Sequence, residues 1–130
     1  MTSGLLDTSV FIAREQSREL GPLPERVAIS VVTIGELELG VLMAGDNGRR
    51  RRRAETLDLA RAADPLPVNE PVMGAFARLV RDCRRERVRV RVLDALIAAT
   101  AIEHGLAVVT QDDDFEAMGA VHDDLRVVRV

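Results

Sequence analysis

The spacing of apolar residues changes several times along the chain, and each change predicts an element. Gly4-Leu5-Leu6 reads as a brief strand, and Val10, Phe11 and Ile12 open a short helix just past Asp7-Thr8-Ser9. Gly21-Pro22-Leu23-Pro24 marks a loop, and Val27-Ala28-Ile29-Ser30 is a second strand. From Thr33 the step lengthens to three and four residues. Ile34, Leu37, Val41 and Ala44 then form the inner stripe of a helix, and Thr33 with Glu36 has the pattern of a capping box. Gly45-Asp46-Asn47-Gly48 breaks that helix, and Arg49 to Ala63 predicts a charged one with Leu57 and Leu59 among few large apolar residues. Pro65-Leu66-Pro67-Val68 reads as a short strand leading into an amphipathic helix from about Glu70 to Glu86, with Val72, Phe76, Leu79, Val80 and Cys83 inward. Leu93, Leu96, Ile97, Thr100 and Ala101 give another helix, stopped by Gly105 where a left-handed cap belongs. Leu106-Ala107-Val108-Val109 suits a strand buried on both faces, and Leu125 to Val130 reads as a last strand.

Strands alternating with helices predict an α/β fold: a three-layer α/β/α sandwich around a mainly parallel central sheet. A chain of 130 residues without repeats or a low-complexity linker is expected to form a single domain over 1–130. Hydrophobic content of 47% with 30% charged residues excludes a disordered chain. Three Phe with no Trp or Tyr leave little scope for stacking bases on aromatic platforms. Cys83 is the one cysteine, so no internal disulfide forms and a reducing cytoplasmic location is expected. No apolar run approaches the roughly 18 residues of a membrane span, and the start lacks the basic residues of a signal peptide. No membrane role is expected.

The net charge of -3 hides a division. The basic side chains are all Arg and bunch at 49–53 and 78–91, while Asp gathers near 112–124. Asp7 ends the first strand, Glu36 lies in the first turn after the second, and Asp112 follows the strand at 106–109. Asp94 sits in the first turn of the helix before that strand. Ligands of open parallel sheets bind just outside the carboxyl ends of the strands. Carboxylates gathered in such a pocket are strongly unfavourable unless neutralised, and Mg²⁺ or Mn²⁺ is the natural partner for oxygen ligands.

Each acid also has an ordinary reading: Glu36 in its capping box, Asp94 as an N-cap, Asp112–Asp114 as a solvated turn or cap, and Asp7 in an Asx-turn. It is their conjunction that points to a cation. The Arg49–Arg53 run is read first as a solvated helix face, with RNA or partner contact as the alternative. Arg87, Arg89 and Arg91 lead straight into the turn carrying Asp94 and are the favoured phosphate contacts. His104 and His122 are too scattered for a zinc site and are read as structural. Leu39, Leu42 and Met43 exceed the inner stripe of their helix, as extra core or as a partner groove. The chain has no Lys, which excludes a P-loop and disfavours aspartyl-phosphate transfer.

Leu5-Leu6-Asp7-Thr8-Ser9, Ser30-Val31-Val32-Thr33-Ile34-Gly35-Glu36-Leu37 with Gly40, Asp94-Ala95-Leu96-Ile97-Ala98-Ala99-Thr100-Ala101 and Val109-Thr110-Gln111-Asp112-Asp113-Asp114-Phe115 resemble the four motifs of the PIN-domain family. Their order and spacing from residue 5 to 115 resemble the VapC toxins of bacterial toxin–antitoxin pairs. The resemblance implies an α/β/α sandwich, Mg²⁺- or Mn²⁺-dependent cleavage of RNA, frequent homodimers, and inhibition by a cognate VapB-type antitoxin. Position by position, it implies an acidic quartet of Asp7, Glu36, Asp94 and Asp112, with Ser9 and Thr110 as polar supports and Asp114 at a commonly acidic position. The alternatives left open are a catalytically silent PIN-like module for RNA binding or assembly, and a nuclease directed at DNA.

Overall fold

The computed structural model describes residues 2–130. Strands β1 (Ser3–Leu6), β2 (Arg26–Ala28), β3 (Ala107–Thr110) and β4 (Val127–Arg129) form one sheet in the order β2-β1-β3-β4. Every pairing is parallel. Helices α1 (Thr8–Glu15), α2 (Val31–Leu42), α3 (Asn47–Arg61), α4 (Glu70–Arg85), α5 (Val92–Glu103) and α6 (Asp114–Val121) fill the connections.

Alternation along the two central strands sorts the helices into layers, because successive side chains of a strand point to opposite faces. Leu5 and Val108 enter a core with Leu79 and Cys83 of α4, Ala98 of α5 and Phe115 of α6. Leu6 and Val109 enter a second core with Phe11 of α1, Leu37 of α2 and Leu57 of α3. The α/β/α sandwich follows from that sorting. Gly4 is required by the closeness of β3: an added Cβ would lie 2.7 Å from Val109 Cγ2.

Four expectations need correction. First, β2 stops at Ala28, and the stretch at 65–68 contributes one isolated bridge, Ser30 to Leu66, rather than a strand. Helix α2 begins at Val31, so the chain beside Leu66 leaves the extended conformation and the ladder has no partner to continue on. Second, α2 begins at Val31, capped by the Ser30 hydroxyl, which accepts from Val32 N at 3.1 Å. The capping box of Thr33 and Glu36 therefore does not form, because Thr33 already lies inside the helix and its hydroxyl is buried. Third, Leu93 is 48% exposed and Asp94 is not a cap, since α5 is led by Arg91. Fourth, the aspartates at 112–114 lead into α6, which the apolar pattern did not show. Asp114 and Glu116 in its first turn favour the positive end of the helix.

The loop before α5 turns without a glycine. Arg87 takes the left-handed conformation at φ 57, and Val88 N closes onto Cys83 O at 2.8 Å. Such a conformation costs a side-chain-bearing residue about 1–2 kcal/mol. Arg87→Gly is expected to raise the midpoint of thermal unfolding by a few degrees. The extra freedom glycine brings to the unfolded chain limits that gain.

The chain leaves β1 toward β2 on one side and later returns to β3 on the other. The sheet therefore has its switch point between β1 and β3, where a crevice opens at the strand ends. Asp7 follows one of those ends and Thr110 closes the other.

Candidate active site

Asp7 emerges from β1 as the N-cap of α1, and its backbone N–H donates to Val109 O at 2.9 Å, pinning it beside β3. Its carboxylate is 2% exposed and accepts from Ser9 N at 3.3 Å and from the Thr110 hydroxyl at 3.0 Å. The Thr110 oxygen in turn accepts from Asp112 N at 2.9 Å and lies 3.2 Å from Ser9 Oγ. With its proton committed to Asp7, Thr110 receives that of Ser9, and Ser9 Oγ accepts from Gln111 N at 3.0 Å. Both polar supports thus tie the two strand ends together.

A second hydroxyl pair holds Glu36. The Thr8 hydroxyl donates to Glu36 Oε1 at 2.7 Å and stands 3.0 Å from Thr33 Oγ1. With the Thr8 proton used on Glu36, Thr33 donates to Thr8. The spacing of Thr33 and Glu36 was read as a cap, yet it serves this buried ladder instead. Thr33 one helical turn before Glu36, and Thr8 just past β1, were the available signal.

Asp94 and Asp112 show how close the acids come. Burial, then the charge of Asp7, pushes the Asp94 carboxyl up to about 6; Glu36 and Asp114 add to this and Arg91 opposes it. Burial also raises Asp112, with Asp7 and Asp114 adding to it and Arg129 and Arg18 opposing. Asp7 and Asp114 act on both. Asp94 thus feels Asp7, Glu36 and Asp114, and Asp112 feels Asp7 and Asp114. Among the described residues, no three acidic, His or Cys side chains stand close enough to form a ready-made ligand cage. Mutual repulsion favours such spacing, and Mg²⁺ needs only one or two direct carboxylates because it keeps several waters. The donors are all carboxylate and hydroxyl oxygens, the set that suits a hard divalent ion.

The arginines divide. Arg89 and Arg91 line a cleft of about 360 Å³ together with Asp94, Asp114 and Met118. Arg87 lies at the left-handed end of α4. In the 49–53 run, Arg49 to Arg52 are exposed, as a solvated face should be. Arg53 donates to Gly40 O at 2.7 Å and lines a smaller cleft of about 240 Å³ with Glu36 and Ile12. It approaches Glu36 from the α3 side, which the sequence did not suggest. Arg129 was also missed. Its guanidinium binds Asp113, Glu116 at 3.4 Å and Gln111 O at 2.8 Å, bracing the loop that carries Asp112 and Asp114. The Gln111 amide braces the same loop against Glu19 O at 3.0 Å and Val130 O at 2.9 Å.

Away from the crevice, His122 Nδ1 lies 2.8 Å from Asp82 Oδ2 and joins the end of α6 to α4. The Arg81 hydrogen bond, then that of His122, lowers the Asp82 carboxyl to about 2. Leu42 and Met43 are 74% and 73% exposed, so they are not extra core.

Residues 4–121 match the sequence profile of the PIN domain. The chain belongs to the PIN-domain family. It is 65% identical over 100 residues to Ribonuclease VapC8 of Mycobacterium tuberculosis, covering 75% of this chain and 89% of that protein. It is 42% identical over 130 residues to Ribonuclease VapC5 of the same species, covering 98% of this chain and 96% of the relative. In three dimensions it resembles a VapBC-5 toxin–antitoxin structure from M. tuberculosis, with a TM-score of 0.89 at 39% identity over 100% of both chains. FitAcB of Neisseria gonorrhoeae superposes with a TM-score of 0.72 at 30% identity over 95% of this chain and 94% of that one. The likeness runs through the whole sandwich, so the PIN domain supplies the strand ends on which the acids are arranged. Among the described residues, no helix is long and apolar enough to cross a membrane.

Proposed function

We propose that the protein is a metal-dependent endoribonuclease and the toxin of a VapBC-type pair, with a VapB-type antitoxin as its partner. The observation that carries this reading is the placing of acids around the switch point: Asp7 is held by Thr110 at the strand ends, Glu36 by Thr8 just past β1, the Asp112 backbone by Thr110, and Asp94 and Asp114 line one cleft. Relatives named as ribonucleases, and a toxin–antitoxin complex among the structural neighbours, support it.

In this reading Asp7, Glu36, Asp94 and Asp112 hold Mg²⁺ or Mn²⁺, with Asp114 as a further acid. When bound, the ion supplies an activated water and offsets charge on the phosphate. The chain's own part is to keep the carboxylates fixed before substrate arrives. Thr110 and Ser9 hold Asp7, Thr8 holds Glu36, and Arg129 holds the Asp112 loop. A carboxylate oxygen of the group accepts the proton of the attacking water. Arg89 and Arg91 counter the negative field on the side where RNA phosphates arrive. The exposed Leu39, Leu42 and Met43 on and just past α2 offer apolar area to a protein partner, the antitoxin or a second copy in a homodimer.

The test is cleavage of a labelled RNA pool by purified protein with Mg²⁺, with EDTA, and with Asp7→Asn. Cleavage abolished in both controls supports the reading. Cleavage indifferent to EDTA overturns the metal dependence, and equal cutting of DNA changes the substrate class. The arginines have their own readout. On single strands, each phosphate that is no longer neutralised flattens the dependence of log affinity on log salt by about 0.7. Arg89→Gln with Arg91→Gln is expected to flatten the slope by about 1.4 on that scale, whereas Gln at 49–52 leaves it unchanged. The reverse result would place the RNA path on the α3 side.

A further inference from the structure

Beside the acidic cleft lies a second hollow, of about 290 Å³, between α4 and the start of α5. Phe76 and Val80 of α4 wall it on one side, and Val88 and Val90 of the following loop on the other. Arg84 and Arg89 are its charged residues. Val90 and Arg89 also line the cleft of Asp94 and Asp114, so the two cavities share a wall.

We infer that the hollow is a base-binding subsite for the nucleotide next to the scissile phosphate, with guanine preferred. The inference rests on the nuclease reading above and adds a source of sequence preference to it. The walls are apolar, which suits the face of an unstacked base and not a phosphate. Phe76 offers the one aromatic surface of the hollow, in a chain that has three Phe and no Trp or Tyr. The polar edge is made by guanidinium groups, which have five donors each and no acceptor. Guanine presents two adjacent acceptors, O6 and N7, which match a pair of donors. Adenine mixes an acceptor with a donor on the same edge, and cytosine offers a donor there. Single-stranded RNA exposes such edges freely, which duplexes do not. The sequence pattern placed Phe76 and Val80 simply in the core. Both are only partly buried in the structure and border the hollow.

The experiment uses an RNA pool randomised around a central stretch and reads the 5′ ends of the products by sequencing. Wild type is compared with Val80→Phe, which fills the hollow, and with Arg84→Gln, which replaces a guanidinium fork at its edge with a shorter neutral amide. Melting temperature, circular dichroism and light scattering control fold and oligomeric state. Guanine is expected to be enriched about fivefold or more at one fixed offset from the cut, the range of a good bidentate contact. The enrichment should vanish in Val80→Phe and weaken in Arg84→Gln. If Val80→Phe does not fold, Arg84→Gln alone decides, because its side chain is exposed. Cut sites without a guanine preference, or a preference unchanged in both folded variants, overturn the inference while leaving the nuclease reading intact. If wild type cuts nothing, the nuclease reading fails. The same pool is then selected by binding to immobilised protein, where absence of Val80-dependent guanine enrichment overturns the subsite too. A Val80→Phe protein that no longer dimerises but keeps its base preference would show the hollow to be an interface between copies, and the inference would fall.

Discussion

Asp94→Asn is expected to lower RNA cleavage by orders of magnitude and yet to raise the stability of the folded protein at neutral pH. The two effects have one cause. In the fold the Asp94 carboxyl sits at about 6, against an ordinary value of 3.8, because it is partly buried and faces Asp7. A carboxyl raised on folding binds its proton more tightly in the native state than in the unfolded chain. Stability therefore falls as pH climbs from about 4 to about 6, and the loss is complete above that window. Asn carries no charge and escapes the loss. The gain should be on the order of 2 kcal/mol near pH 7.5 after allowance for solvent around the side chain, and close to nothing below pH 4. Urea unfolding of both proteins across pH checks it. A stability difference independent of pH would mean that the fold does not raise the Asp94 carboxyl. Millimolar Mg²⁺ should raise the wild-type melting temperature and raise that of Asp94→Asn less, since an ion that binds only the fold stabilises it by mass action. The metal effect should fade as the carboxylates take up protons.

Thr110→Val is expected to be the most damaging conservative change at the site. Valine has nearly the same shape, so no cavity arises, but the hydroxyl serves Asp7, Asp112 N and Ser9 at once. Thr110 is fully buried and Asp7 nearly so, and water cannot replace the missing hydroxyl without opening the crevice. Leaving a buried acceptor and a backbone donor unpaired costs about 2–4 kcal/mol in total. Cleavage should fall as well, because Asp7 and the Asp112 loop lose the group that aligns them. Thr110→Ser keeps the hydroxyl and gives up one methyl, so it should recover most of both losses at a cost of about 1 kcal/mol. Equal stability and activity in wild type and Thr110→Val would show that the strand ends are aligned by other groups.

Some features were legible because they are local. The left-handed cap at Gly105, the buried run ending at Val109 and the inward face of α4 depend on period and on single-residue conformational preference. Others were misread because a local rule yielded to a distant partner. Thr33 and Glu36 match a capping box, but Ser30 starts α2 earlier, and a threonine 25 residues away claims the Thr33 hydroxyl. The stretch at 65–68 was read as a strand, but its partner turns into α2 at Val31 and leaves one bridge at Leu66. Helix α6 escaped notice because eight residues are too short a stretch from which to read a helical period.

The sequence by itself determined the alternation of strands and helices, and with it the parallel sheet and the placing of an acid at each strand-to-helix turn. Those follow from periodicity and from residue type, which act over a few neighbours. Only the tertiary structure decided which acids feel one another, because β3 must cross to the far side of β1 before Asp112 and Asp7 can meet. It also decided that Arg129, 18 residues from the Gln111 carbonyl it binds, belongs to the site, and that Arg89 faces the acids as well as an apolar hollow. Contacts of that kind carry no periodic signal along the chain. They arise where elements end in space, and strand order determines those ends.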